Sequence, residues 1–282
     1  MNRILSKERL APEVYRMVVA APLIAAERRP GQFVILQVDD DFGERIPLTI
    51  ADGDPAAGTI TLIFQTVGKT THRLAELGEG DRITHLVGPL GQPTHLACFG
   101  SVVCVGGGIG VAPLYPIVQG LRAAGNRLTV ILGARTRELL ILQEELAALA
   151  DELIICTDDG SAGRKALVTA PLGEICARTP PPDQVVAIGP AIMMKCCAET
   201  TRPFKIPTVV SLNTIMIDGT GMCGGCRVTV GHQTRFVCVD GPEFDGHAVD
   251  FDNLLQRSRA YKRKEDRDHE QCHLDAALEA KS

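Results

Sequence analysis

The sequence lacks a large excess of charge of either sign. Lysine and arginine number 29 against 34 aspartates and glutamates, which gives a net charge of −5. The basic residues concentrate only near the carboxyl terminus, where they are mixed with acids. Proteins that bind nucleic acid usually carry a basic stripe or patch. We therefore expect no nucleic-acid partner.

Two kinds of long hydrophobic segment are also missing. Residues 1–7 contain no apolar core of a signal peptide. Residues 100–121 are uncharged and long enough to span a bilayer, but the four glycines at 106–110, Pro113 and Pro116 interrupt them. Such residues would break a membrane helix near its middle, so we expect a strand, a loop and a helix here. The sequence predicts no membrane association.

The ten cysteines lack the pattern of a disulfide framework, because most of them are scattered singly. Free thiols and a metal site are typical of a reducing compartment, so we expect a cytoplasmic location. Six cysteines lie in or near apolar segments, and we interpret them as small buried side chains. They are Cys98, Cys104, Cys156, Cys176, Cys196 and Cys197.

The candidate metal site is a glycine-rich stretch from Asp218 to Cys226, followed by Cys238. The plant-type [2Fe–2S] pattern is C-x4-C-x2-C with a distant fourth cysteine. The spacing is kept here, but an aspartate takes the first position, so the predicted ligands are Asp218, Cys223, Cys226 and Cys238. Glycines would let the backbone approach such a cluster closely. On spacing alone, a zinc site that uses Asp218 or His232, or a structural turn, stays open.

At 282 residues the chain is long enough for two domains with added modules. Residues 1–97 contain β-branched runs at 14–19, 33–38, 59–64 and 82–87, separated by turns rich in Gly, Pro and Asp. This spacing predicts a small antiparallel barrel, with a helix at 69–77. An R-x-P-L-T turn at 45–49 and a G-K-T-T turn at 68–71 could hold a pyrophosphate. An exposed arginine and an ordinary helix cap are the alternative readings.

Residues 98–210 alternate strands with helices, which predicts a doubly wound parallel sheet. We expect strands at 101–105, 128–133, 152–157 and 184–188. We expect one helix that ends at Leu121, one over 138–150 and one around Met193. The loop G-G-G-x-G-x-A-P at 106–113 matches the dinucleotide fingerprint only loosely, but it opens a helix as a diphosphate site does. Ligands bind such sheets at the carboxyl ends of their strands.

The end of the chain divides into a cluster-binding module at 211–250 and a tail at 251–282. Residues 240–250 follow Cys238 and predict a turn-rich segment that lies over a neighbouring surface. From Lys262 the tail is almost wholly polar, with Cys272 and His273 isolated. We expect a solvated helix or a disordered end that could dock on a partner.

This order of parts resembles the ferredoxin reductase-type flavoproteins over residues 1–255. By arrangement it is most similar to two kinds of small subunit, from dihydroorotate dehydrogenase and from NADH-dependent ferredoxin:NADP oxidoreductase. Aspartate at position 218 and the segment Asp240–His247 resemble the second kind. One departure is Pro47, since the wider family usually has an aromatic residue in the flavin turn.

The resemblance implies an oxidoreductase whose cofactors do the chemistry, with no catalytic acid–base residue. It places FAD on Arg45, Pro47, Leu48, Thr49, Ile63, Gln65, Gly68, Lys69, Thr70 and Thr71. It places NAD(H) on Gly107, Gly108, Gly110, Ala112, Pro113, Gly133, Ala134, Arg135, Asp158, Asp159, Gly160, Gly189, Pro190 and Met193. Arg135 and Arg137 could instead hold the 2′-phosphate of NADP(H), so the sequence leaves that preference open.

The same resemblance implies a [2Fe–2S] cluster that relays electrons to a second flavin in a larger iron–sulfur flavoprotein partner. Ferredoxin would be reached through that partner, in electron bifurcation. A dihydroorotate dehydrogenase-type subunit and a stand-alone NAD(P)H:ferredoxin reductase are the alternatives of the same class. A zinc-stabilised nucleotide-binding module without a redox role is the alternative of a different class.

Overall fold

The amino-terminal part is a six-stranded antiparallel sheet with two short helices. These elements belong to a computed structural model that describes residues 2–39 and 43–259. The strands are β1 (Ile4–Ala11), β2 (Val14–Ala20), β3 (Phe33–Gln37), β4 (Arg45–Asp54), β5 (Thr59–Gln65) and β6 (His85–Leu90). The helices are α1 (Pro22–Glu27) and α2 (Lys69–Glu76).

The sheet closes on itself, which confirms the predicted barrel. Its order is β1-β2-β5-β4-β3-β6. The Ile4 amide donates to the Asp81 carbonyl at 2.8 Å, and the Ile83 amide donates to the Asn2 carbonyl at 3.0 Å. The strand predicted at 82–87 was wrong at its start, because Arg82 makes only an isolated bridge and β6 begins at His85.

The second part is a seven-stranded sheet with helices between its strands. The strands are β7 (Ser101–Gly107), β8 (Arg127–Ala134), β9 (Glu152–Thr157), β10 (Arg164–Lys165), β11 (Gln184–Ile188), β12 (Thr208–Ser211) and β15 (Glu243–Asp245). The helices are α3 (Val111–Ala123), α4 (Gln143–Leu149), α5 (Thr169–Cys176) and α6 (Ala191–Thr201).

This sheet is doubly wound, as predicted. Its order is β10-β9-β8-β7-β11-β12-β15, and every pairing except that of β12 with β15 is parallel. The chain reverses its direction of winding between β7 and β11, so a crevice forms outside the carboxyl ends of these two strands. Such a switch point is where open α/β sheets bind ligands.

One predicted helix is shorter than expected. The helix at 138–150 was wrong in its first third, where a 3-10 turn over Arg137–Leu139 precedes α4. Leu142 separates the two with a φ of 57°, and a left-handed leucine interrupts an α-helix.

Four of the six scattered cysteines are buried as predicted, and two are not. Cys104 and Cys197 have no exposed surface, and burial raises the pKa of each thiol to about 12. Cys98 is exposed and Cys196 is half-buried, so the prediction was wrong for them. Neighbours on a helix point in different directions, and on α6 Cys197 takes the side that faces the core.

The carboxyl-terminal part is built against both sheets. Its elements are the hairpin of β13 (Arg227–Val230) and β14 (Gln233–Phe236), then α7 (Val237–Asp240), β15 and α8 (Phe251–Ser258). The turn-rich segment at 240–250 supplies β15, which extends the parallel sheet as an antiparallel edge strand. A shared core joins Phe33 of the barrel, Val105 of the sheet and Cys226. The domain boundaries predicted from the sequence stay a prediction.

Helix α8 is the described part of the predicted tail. The Asp250 carboxylate accepts a hydrogen bond from the Asn253 amide at 3.0 Å and caps the helix, while Phe251 and Leu254 are buried. The rest of the tail, residues 260–282, lies outside the described residues. Among residues 2–39 and 43–259, no helix has the length and apolar character needed to cross a bilayer.

Candidate functional site

A large cavity lies where the barrel, the parallel sheet and the carboxyl-terminal segment meet. Its volume is about 1810 Å³. Ligand pockets usually enclose about 300–1,000 Å³, so this cavity is larger than an ordinary single-ligand pocket. Its walls include the turn at 45–49, the glycine loop at 107–110 and residues 215–217, which precede the glycine-rich loop of Asp218.

Most of the residues predicted to bind FAD or NAD(H) line this cavity. They are Arg45, Pro47, Leu48, Thr49, Ile63, Gln65, Thr71, Gly107, Gly108, Gly110, Pro113, Gly133, Ala134, Arg135, Asp158, Gly189, Pro190 and Met193. The remaining predicted residues are not among the lining residues, and they are Gly68, Lys69, Thr70, Ala112, Asp159 and Gly160. Thr70 donates instead to the Glu44 carboxylate at 3.0 Å.

The predicted flavin turn lies on β4 in register with β3. Thr49 pairs with Phe33 and Pro47 with Ile35. Ile46 and Leu48 pack against the barrel core. Side chains alternate between the two faces of a strand, so those of residues 45, 47 and 49 share the opposite face.

The switch point between β7 and β11 leaves no room for side chains. A Cβ on Gly110 would lie 2.5 Å from the Ile188 carbonyl oxygen and 2.6 Å from Gly189 Cα. A Cβ on Gly107 would lie 2.3 Å from the Met193 sulfur. At position 110 only glycine allows this approach, because the clash there is with backbone atoms. The loops of both strands therefore meet at one edge of the cavity.

One buried hydroxyl in the cavity wall lacks a partner. Among the described residues, Thr214 Oγ1 is buried without a hydrogen bond, and Thr214 lines the cavity. Buried polar atoms in folded proteins are almost always paired. A polar ligand in the cavity would supply the missing partner, which fits a bound dinucleotide.

The glycine-rich loop has the backbone that a cluster requires. Gly219, Gly221 and Gly224 have φ values of 74°, 86° and 66°. Cys226 and Cys238 are each 1% exposed, and their sulfurs lie 3.2 Å apart. The buried thiol pair and the left-handed glycines fit a [2Fe–2S] group.

The other two predicted ligands are tied to the backbone of the same loop. The Asp218 carboxylate accepts hydrogen bonds from the amides of Thr220, Met222 and Cys223 at 3.0, 3.1 and 2.9 Å. These hydrogen bonds lower the pKa of Asp218, and the bond from Thr220 has the largest effect. Cys223 is exposed, and its sulfur accepts from the Gly225 amide at 3.4 Å.

The structure therefore brings Cys226 and Cys238 into contact, while Asp218 and Cys223 are linked through the loop backbone. Within the described ranges, no three side chains of His, Cys, Asp or Glu converge as a metal site. The four-ligand set stays a prediction. His232, the other zinc candidate, is exposed in the turn between β13 and β14.

Several cavity residues were missed by the sequence analysis. They are Thr214, Ile215, Ile217, Arg227, Leu254 and Arg257. None of them belongs to a motif, and Leu254 and Arg257 come from a segment that the sequence assigned to a tail. Tertiary packing alone places them here.

A half-buried carboxyl lies where β15 meets the barrel. The Thr94 hydroxyl donates to Glu243 Oε1 at 2.5 Å. Burial raises the pKa of Glu243 from 4.5 to about 7, and the bond from Thr94 opposes that rise. The folded protein thus holds a proton on Glu243 that the unfolded chain releases at a lower pH.

Glu243→Gln is expected to stabilise the protein at pH 8 and to leave it unchanged at pH 4. As pH rises from 4.5 to about 7, the unfolded chain loses the proton first, so wild-type stability falls and stays lower above pH 7. The full difference is roughly 3 kcal/mol, since one pH unit corresponds to about 1.4 kcal/mol. Thermal unfolding at both pH values measures it. Glu79→Gln, at an exposed site, is the control, and an equal gain at pH 4 and pH 8 would contradict the prediction.

Comparison with known proteins agrees with this geometry. Residues 213–250 match the iron–sulfur cluster binding domain of dihydroorotate dehydrogenase B. A dihydroorotate dehydrogenase B (NAD(+)) electron transfer subunit homolog of Thermotoga maritima is 48% identical, over 94% of this chain and 93% of its own length.

Solved structures give the same relationship. One is the structure of the NADH-dependent reduced ferredoxin–NADP oxidoreductase, described as giving insights into flavin-based electron bifurcation. A chain in it superimposes with a TM-score of 0.90 and 46% identity. That match covers 96% of this chain and 97% of the other. A cytochrome P450 reductase of Amycolatopsis shares the fold, with a TM-score of 0.60 and 21% identity over 72% of this chain and 65% of its own.

The fold and the site define an oxidoreductase of the ferredoxin reductase type, an iron–sulfur flavoprotein for electron transport. Its antiparallel barrel, parallel sheet and cluster-binding segment are the parts of that class. More particularly, the chain belongs to the family of dihydroorotate dehydrogenase B electron-transfer subunits and their homologues.

Proposed function

We propose that this chain is an electron-transfer subunit that connects NAD(H) to a larger flavoprotein partner. Its cofactors are FAD, a [2Fe–2S] cluster and NAD(H). The observation that carries the proposal is the cavity of about 1810 Å³, because it joins the flavin turn, the switch-point loop and the edge of the cluster loop. Two nucleotide ligands and the cluster would therefore lie close together.

The residues in each wall of the cavity have a different proposed role. Bound FAD would supply hydride exchange with NAD(H) and single-electron exchange with the cluster, chemistry that the protein's own side chains lack. Arg45 gives a positive charge for a pyrophosphate at the flavin turn. Gly108 and Gly189 let a nicotinamide dinucleotide approach the ends of β7 and β11. Met193 and Ile215 add apolar surface to the cavity wall.

In finer detail, we propose the small subunit of a bifurcating NADH-dependent ferredoxin:NADP oxidoreductase. The 46% identity and TM-score of 0.90 to such an enzyme support this assignment, as does aspartate at position 218. The partner would be a larger iron–sulfur flavoprotein, with ferredoxin reached through it.

A dihydroorotate dehydrogenase-type subunit is the second candidate, and the match at 213–250 favours it. Reconstitution with each kind of large subunit separates the two. The first assignment expects NADH with reduced ferredoxin to reduce NADP, and the second expects dihydroorotate to reduce NAD.

The first experiment is the visible spectrum of anaerobically purified protein, with flavin, iron and zinc measured on the same sample. We expect flavin bands, broad absorption at longer wavelength and about two irons per chain. NADH should bleach both features. A colourless protein with one zinc would overturn the proposal and leave a nucleotide-binding module.

A further inference from the structure

Two arginines hold consecutive carbonyls of the cluster loop. Arg227 Nη1 donates to the Gly224 carbonyl at 3.1 Å. Arg257 Nη2 donates to the Gly225 carbonyl at 3.2 Å. Both peptides lie between Cys223 and Cys226, so the two guanidinium groups fix the short connection between two predicted ligands.

The direction of a carbonyl determines the direction of its amide. In a trans peptide the C=O and N–H bonds point to opposite sides, so an arginine that holds the oxygen also orients the hydrogen. The peptide of Gly224 shows the result, because the Gly225 amide points at the Cys223 sulfur at 3.4 Å. Arg257 fixes the next peptide, between Gly225 and Cys226, in the same way. The amide of Cys226 therefore points away from Arg257.

Arg257 comes from α8, which lies outside the cluster loop in sequence. The helix is held in place by buried Phe251 and Leu254. Asp252 also pairs with Lys195 of α6 at 2.8 Å. Arg257 is itself half-buried and lines the large cavity. A rigid element thus carries one positive charge to the place where the cavity meets the cluster loop.

We propose that Arg257 is a positioning residue that raises the reduction potential of the cluster. Hydrogen bonds to cluster sulfurs and nearby positive charge stabilise the added electron, and both are known determinants of cluster potential. Arg257 supplies the charge directly and holds the Gly225 carbonyl, in the peptide that follows the one whose amide donates to the Cys223 sulfur. This inference rests on the proposed [2Fe–2S] site.

The test is an anaerobic redox titration of the full-length protein, with the reduced cluster followed by electron paramagnetic resonance. Arg257→Ala is expected to lower the midpoint potential of the cluster. At a fixed potential, the ratio of reduced to oxidised cluster should fall about tenfold, which corresponds to a midpoint shift of about 59 mV. Arg257→Lys keeps the positive charge and should restore most of the wild-type midpoint. Arg259→Ala is the matched control, since Arg259 is exposed at the end of the same helix.

With the alanine variants, two outcomes overturn the inference. One is a wild-type midpoint in Arg257→Ala with unchanged iron content, and the other is an equal shift in Arg259→Ala. If Arg257→Ala assembles no cluster, Arg257→Gln is titrated instead, and a wild-type midpoint there also overturns it. Wild-type protein without iron would refute the proposed function itself, which keeps the two failures distinct.

Discussion

Replacing Cys226 with alanine is expected to remove the [2Fe–2S] cluster and leave the flavin in place. Cys226 is 1% exposed and its sulfur lies 3.2 Å from that of Cys238, so no other side chain can take its place without repacking the core. The flavin turn lies on a separate element, β4. Iron should fall from about two per chain to near zero, while NADH still bleaches the flavin and electrons no longer reach a partner.

Cys197→Ala is the matched control, because Cys197 is equally buried but lies on α6. Both variants lose one buried sulfur, so each should be destabilised by about 1–2 kcal/mol from the small cavity alone. Only Cys226→Ala should lose iron and the long-wavelength absorption. Two irons per chain in Cys226→Ala would refute Cys226 as a ligand.

Replacing Gly110 with alanine is expected to slow flavin reduction by NADH roughly hundredfold, the scale of effect that a 1 Å misplacement can produce. The new Cβ would meet the Ile188 carbonyl at 2.5 Å and Gly189 Cα at 2.6 Å, and these backbone atoms cannot rotate away. The glycine loop and the end of β11 must then separate, which moves the proposed dinucleotide site. Overpacking of this kind also costs about 1–3 kcal/mol of stability. Stopped-flow absorbance under anaerobic conditions measures the rate.

Gly173→Ala provides the comparison for this clash. Gly173 lies in α5, and a Cβ there would come no closer than 3.6 Å to Thr200. Alanine in a helix is more favourable than glycine by about 1 kcal/mol, so this variant should keep its NADH rate and gain some stability. A wild-type rate in Gly110→Ala would show that the proposed site lies elsewhere.

The parts of the fold that the sequence predicted depend on local patterns. Alternating β-branched residues and Gly-Pro turns mark the barrel strands, and a strand followed by glycines marks the turn into α3. The C-x2-C spacing of Cys223 and Cys226 likewise lies within one short loop. These signals are local because the residues within each element determine the backbone conformation of that element.

The rest depends on contacts between distant residues, which a single sequence does not contain. Nothing near Glu243 indicates that it pairs with Ser211, or that Thr94 donates to it. Arg257 lies among charged residues that are typical of a solvated tail, yet buried Phe251 and Leu254 bring it to the cluster loop. The exposure of Cys98 was missed for the same reason, because apolar neighbours in sequence do not ensure burial.

The pairing of β15 with β12 also covers an edge of the parallel sheet. A reductase with only the barrel and the parallel sheet would leave β12 as an open edge, and such edges can pair with another chain and aggregate. The segment that follows the cluster loop covers this edge over Val209, Val210 and Ser211. It is itself only three residues long, which makes it a poor template for further strands. The segment that follows the cluster loop therefore also closes an edge at which the parallel sheet could otherwise pair with another chain.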